Sequence, residues 1–124
     1  MASATLSLMP SVPTSVKDAE HYTWGDACDG WHLVKSQELS IIEERMPPHT
    51  AERRHFHHKA DQFFYVLSGE AQMEIEGQMF TLSPRNGIFI EHGRPHRISN
   101  KSDQEVTFLV ISRPTTRGDR QELE

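Results

Sequence analysis

Between residues 31 and 111 the chain is cut into short aromatic and β-branched runs, and no helical period of useful length interrupts them. Turn signals recur roughly every eight to twelve residues, the spacing of an all-β sandwich or barrel. Residues 71–76 carry the pattern most cleanly. Ala71, Met73 and Ile75 fall on one face of a strand, and Gln72, Glu74 and Glu76 on the other. Further strands are expected over residues 31–35, 38–46, 53–57, 62–67, 79–82, 88–90, 96–100 and 105–111. Pro47-Pro48 ends the second of these, because proline cannot donate to a ladder. Gly77-Gln78 is expected to turn residues 71–76 back into 79–82 as a hairpin.

One domain is the natural expectation for 124 residues. Residues 17–112 form the barrel, 1–16 an uncharged leader rich in Ser, Thr and Pro, and 113–124 a charged, loose tail. Residues 17–22 read as a turn of helix, and WGDACDGW from Trp24 to Trp31 reads as a loop. The hydrophobic share is only 35%, which fits a modest core around a polar-lined cavity. A net charge of −5 argues against a nucleic-acid partner. No apolar run is long enough to span a membrane as a helix, and the leader has no basic start of the secretory kind. Cys28 is the only cysteine, so no internal disulfide forms. That usage suits a reducing cytoplasm.

Residues 54–69, RHFHHKADQFFYVLSG, carry the chemistry. His55 and His57 are two apart and share a strand face. Gln62 opens the apolar run that stops at Ser68-Gly69. Two imidazoles and a third polar group aimed into a folded interior meet the needs of a metal site, with His96 the best further imidazole. Arg53 shares parity with the histidine pair and is a candidate to hold an anionic group, or else a solvated arginine at a strand start. Phe64 shares parity with Gln62 and would form an apolar wall; Met73 is either cavity wall or plain core. Glu43 and Arg45 share a face that is a candidate barrel interior. His58 has the wrong parity for the same metal, while His92 and His49 sit in loops near these motifs.

From His49 to Asn100 the chain resembles the cupins. Their first motif is glycine, five residues, His-x-His, three or four residues, glutamate, six residues, glycine. It corresponds to His49, His55-Phe56-His57, Gln62 and Gly69. Their second motif is glycine, five residues, Pro-x-Gly, two residues, His, three residues, asparagine. It corresponds to Arg85, Glu91-His92-Gly93, His96 and Asn100. The resemblance implies a double-stranded β-helix, or jelly-roll barrel. It also implies one divalent transition metal per chain (Zn, Fe, Mn, Ni, Co or Cu) on His55, His57, Gln62 and His96. Gln62 stands where the family carries glutamate, so the site keeps a charge of about +2 rather than about +1. Metal affinity should then fall and an oxyanion should be better stabilised.

What such a barrel does is open at this stage. One reading is a metal-dependent enzyme using Lewis-acid chemistry, such as isomerisation, on a small sugar-like or hydroxy/keto acid substrate. A second is a dioxygenase with iron held by three histidines. A third is a barrel that holds a small ligand without turnover. The resemblance also implies a homodimer formed by exchange of N-terminal strands.

Overall fold

The alternation of residues 71–76 becomes a strand with one fully buried face, and the same logic builds the whole chain. The computed structural model describes residues 11–123 and contains twelve strands and no helix among them. They are β1 (Glu20–Trp24), β2 (Cys28–Lys35), β3 (Ser40–Met46), β4 (Thr50–Ala51), β5 (His55–His57) and β6 (Asp61–Ser68). There follow β7 (Ala71–Ile75), β8 (Gln78–Leu82), β9 (Gly87–Ile90), β10 (His96–Asn100), β11 (Val106–Arg113) and β12 (Arg120–Glu122). One sheet has the order β1-β2-β3-β11-β6-β9, the other β12-β5-β10-β7-β8 with β4 beside β10. Their apolar faces meet in one core. Met46, Phe64, Val66, Val106 and Phe108 come from the first sheet, and Ala71, Met73, Ile75, Leu82 and Ile98 from the second. No helix among the described residues is long and apolar enough to cross a membrane.

The β7–β8 hairpin turns one residue earlier than expected. Ile75 pairs with Gln78, leaving Glu76 (φ 51°) and Gly77 (φ 89°) as the two turn residues, both left-handed as a type I′ turn requires. His49 and Arg85, which stand where the cupin motifs carry glycine, also have left-handed backbones, at φ 60° and 72°. Gly69 shows why glycine is needed elsewhere. Its φ is 79°, and a Cβ there would lie 2.3 Å from the Glu105 carbonyl oxygen. Asn100, 1% exposed, closes the second motif by donating to the carbonyls of Met46, Pro47 and Gln104 and accepting from Ser102.

Three expectations change at the ends of the chain. The expected turn of helix over residues 17–22 is confined to residues 15–19, closed by the Ala19 amide on the Ser15 carbonyl at 2.9 Å, and Glu20 already begins β1. Within the expected WGDACDGW loop only residues 25–27 turn, and Cys28 already begins β2. Residues 113–123, expected to be loose, carry β12, which pairs with β5 from Arg120↔His57 to Glu122↔His55. All three β12 residues are exposed, so no apolar alternation marks the strand in the sequence. Of the expected leader, residues 1–10 lie outside the described residues.

Candidate metal centre

β5 and β10 are antiparallel neighbours, with His55 opposite His96. His57 lies two residues along β5 and therefore on the same face. The three rings face one another, with centroids 4.5 Å (His55–His96), 4.9 Å (His55–His57) and 5.8 Å (His57–His96) apart. Each residue is 4% exposed or less, and one nitrogen from each lies within 4.8 Å of the others. Gln62 arrives from β6 of the opposite sheet and is also buried.

The ring orientations are set by the backbone. His55 Nδ1 donates to the Arg53 carbonyl (2.8 Å) and His96 Nδ1 to the Arg94 carbonyl (2.9 Å), which leaves Nε2 of each as the lone-pair nitrogen. Gln62 Nε2 donates to Ser112 Oγ at 3.2 Å. His57 Nδ1, Gln62 Oε1 and His96 Nε2 are buried with no hydrogen-bond partner. Burial, then the neighbouring His96, holds the His55 imidazole down at about 3 and that of His57 at about 4, and burial lowers His96 as well. All three are neutral at physiological pH, the state that ligates a cation. Unpartnered buried imidazoles with an amide oxygen fit a divalent transition metal. His55, His57 and His96 would hold it, with Gln62 Oε1 a further donor.

His55, His57 and Gln62 line a cavity of about 740 Å³ between the sheets, a size suited to a small molecule, with His96 packed behind them. Phe64 lines it and meets His96 edge-on, with ring centroids 6.1 Å apart. Arg53 reaches only the rim. Its side chain is 73% exposed and lies 3.5 Å from Glu122. Met73 is fully buried core and does not line the cavity. Glu43 and Arg45 correct the expectation of an inward face. Glu43 stands opposite Trp31 and Leu109 on the outer side of the sheet, and Arg45 pairs with Asp29 (2.8 Å) and Glu105 (3.4 Å). The inner face of β3 carries Ser40, Ile42, Glu44 and Met46 instead. Both alternating sets mix apolar and charged residues, so the pattern alone does not choose the face. His92 pairs with Asp61 (2.8 Å) and His49 with Asp103 (2.8 Å), both on the surface, and His58 is exposed.

The cavity also holds carboxylates that parity concealed. Glu44 accepts a hydrogen bond from Tyr22 Oη at 2.7 Å. Glu52 accepts from the Ile98 amide at 3.1 Å, and its carboxylate is 3.9 Å from His55 Nδ1 and 3.8 Å from the Arg120 guanidinium. Burial pushes the Glu44 carboxyl up to about 7 and that of Glu52 up to about 8. Glu52, between His55 and the Arg120 guanidinium, has no distinctive sequence spacing, and only the other parity of residues 41–46 could have pointed to Glu44.

The sequence profile of the cupin domain matches residues 42–112, more than half of the chain. This chain is a cupin. The family, the two antiparallel sheets and the absence of helix among the described residues agree on the jelly-roll barrel. A polyketide synthase (CurC) of Streptomyces cyaneus is 30% identical over 60 residues, 48% of this chain and 39% of that one. The cupin spans 66%, 39% and 33% of the lengths of the first three curated relatives it matches. Among solved structures, a sugar phosphate isomerase of the cupin superfamily from Silicibacter pomeroyi superposes with a TM-score of 0.75. It is 20% identical, with 84% of this chain and 76% of that one covered. The polyketide cyclase RemF of Streptomyces resistomycificus superposes with a TM-score of 0.79, 18% identical, over 93% of this chain and 87% of that one. At these identities the structural matches establish the fold and no more.

Proposed function

We propose that this cupin is a metal-dependent enzyme acting on a small hydroxy- or keto-compound by proton transfer beside a carbonyl, as in isomerisation. One observation carries the reading. His55, His57 and His96 present neutral nitrogens within 4.8 Å of one another, and the cavity that His55 and His57 line also holds acids poised near neutrality. A divalent ion held by these histidines would supply Lewis acidity toward a carbonyl oxygen.

The chain's own groups favour a substrate that is uncharged at its reacting end. Both arginines lining the cavity are already matched: Arg120 by Glu122 (2.8 Å) and Glu52 (3.8 Å), Arg53 by Glu122 (3.5 Å). Phe64 and Val110 offer an apolar wall. The names of two structural neighbours, sugar phosphate isomerase and polyketide cyclase, are in keeping with this class.

The deciding experiment is elemental mass spectrometry of protein purified without a nickel column, beside His55→Ala. Near one transition metal per chain, lost in the variant, supports the reading, and iron as the native metal would turn it toward dioxygenation. Absence of metal after reconstitution, with ligand binding that survives chelators, would replace it with a binding barrel. A homodimer completes the proposal. Light scattering tests it, and a monomeric mass at micromolar concentration counts against it.

A further inference from the structure

We propose that Glu44 is the proton-transferring catalytic residue of this cavity, held in place by Tyr22 lying across the side-chain gap at Gly30. The inference rests on the proposed carbonyl chemistry and adds to it the group that moves the proton.

The three residues form one cross-strand row. Tyr22 on β1 is opposite Gly30 on β2, and Gly30 is opposite Glu44 on β3. A Cβ at Gly30 would come within 2.2 Å of Tyr22 Cζ and 2.5 Å of its Oη, so the ring occupies the space a side chain would take. Lying there, Tyr22 passes over β2 and donates to Glu44 Oε2 at 2.7 Å. His32 packs against its ring at 5.0 Å. Tyr22 and Glu44 line the same cavity as His55, His57 and Gln62. Among the described residues no hydrogen bond reaches Glu44 Oε1, which leaves that oxygen for a ligand.

Beyond the hydrogen bond that it accepts from Tyr22, nothing in the packing calls for an acid at position 44. Its row neighbours on the inner face are Ile42, Met46 and Phe108, and an apolar side chain would avoid the cost of burying a carboxyl. An acid kept in a cavity without a contacting cation is a functional candidate. The other charged and titratable groups lining the cavity are Asp26 in the β1–β2 turn, Glu52 and Arg53 between β4 and β5, Arg120 and Glu122 on β12, and the neutral His55 and His57. Burial places the Glu44 carboxyl at about 7, and the Tyr22 hydrogen bond keeps it from rising further. Both protonation states are then accessible at working pH, as a group that takes and returns a proton requires. Burial and the charge of Glu44 push the Tyr22 hydroxyl above its ordinary range, so Tyr22 stays a donor and acts as a positioning residue.

For a hydroxycarbonyl substrate the step balances without an oxidant. The Glu44 carboxylate takes the proton from the carbon that bears the hydroxyl. The C–H electron pair becomes a C=C bond as the carbonyl π pair moves onto oxygen. Glu44 returns the proton to the former carbonyl carbon, and the hydroxyl proton passes to the former carbonyl oxygen.

The test uses the metal-loaded full chain, Glu44→Gln and Tyr22→Phe, with dihydroxyacetone and glyceraldehyde as probes in D2O. Hydrogen exchange at carbon is followed by NMR, and metal content and the infrared band of protonated carboxyl groups are recorded in parallel. Glu44→Gln should lose at least ~100-fold in exchange rate and retain its metal. It should also lose the Glu44 carboxyl band and keep the second band, that of Glu52, which titrates in the parent as well. Tyr22→Phe should slow exchange roughly tenfold and move both the Glu44 band and the pH profile to higher pH, because the donor that favours the carboxylate is gone. Gly30→Ala should reproduce the Tyr22→Phe profile. Exchange in Glu44→Gln within threefold of a metal-loaded parent overturns this inference and leaves the metal reading standing. So does a Glu44 band, identified by its loss in Glu44→Gln, whose midpoint Tyr22→Phe leaves in place, or a loaded parent that exchanges neither probe. A parent that takes up no metal overturns both.

Discussion

Gln62 donates its amide N–H to Ser112 Oγ at 3.2 Å, and its carbonyl oxygen is left buried with no partner on the cavity wall that Gln62 shares with His55 and His57. The serine thus turns the weaker donor atom of a glutamine toward the place where the family pattern has glutamate. Gln62→Glu should restore a negative charge to the centre while keeping the Ser112 contact. Metal affinity, measured by chelator competition, is expected to rise roughly tenfold or more. Equal affinity in the two proteins would mean that position 62 does not reach the ion.

Gly69 and Gly93 share left-handed backbones, at φ 79° and 83°, but not surroundings. A Cβ at Gly69 meets the Glu105 carbonyl at 2.3 Å, whereas at Gly93 nothing lies within 4 Å. Gly69→Ala should cost about 3 kcal/mol or more, and Gly93→Ala only the backbone strain of about 1 kcal/mol. Urea denaturation separates the two, and similar losses would show that the contact at residue 105 relaxes cheaply.

Arg85 holds φ 72° without glycine's freedom. Its amide still donates to the Val66 carbonyl at 2.8 Å, a bond that a glycine would keep. Relief of about 1–2 kcal/mol of strain outweighs the added chain entropy of about 0.5–1 kcal/mol. Arg85→Gly should therefore raise the unfolding midpoint slightly. A fall would assign the arginine side chain a stabilising contact.

Asp119 accepts the backbone N–H groups of His58 (3.1 Å), Lys59 (3.0 Å) and Ala60 (2.9 Å), and so pins the loop that follows His57. Burial works against its charge, but these amides prevail and hold the carboxyl below its ordinary value. A depressed folded-state pKa contributes stability above the unfolded pKa and loses it as pH falls through the folded one. Asp119→Ala should then be less stable than the parent by about 1–2 kcal/mol at neutral pH, after allowance for solvent screening. Thermal melts should show the gap closing as pH drops below the ordinary aspartate range. A gap independent of pH would trace the loss to packing.

The barrel and the histidine cluster were legible in the residues because both depend on local period. A strand places residues two apart on one face, so His55 and His57 are committed together once residues 54–69 are read as β structure. The resemblance to the two cupin motifs added Gln62 and His96 to them, and nine of the twelve strands were located to within a few residues. What local period cannot do is choose a face when both are mixed, and on that account Glu43 and Arg45 were expected inside while Glu44 and Ile42 occupy the cavity. That choice belongs to β11 and β2, which pair with β3 and set Phe108 and Gly30 against Glu44. Nor does an all-polar segment announce a strand: β12 exists because β5 presents an edge to it, and it carries Arg120 to Glu52 and Asp119 to the loop after His57. The sequence by itself determined the fold class and the metal-ligand candidates. The acids that share their cavity, and the tyrosine that reaches across Gly30 to one of them, were decided by pairings between strands far apart in the chain, which no local pattern encodes.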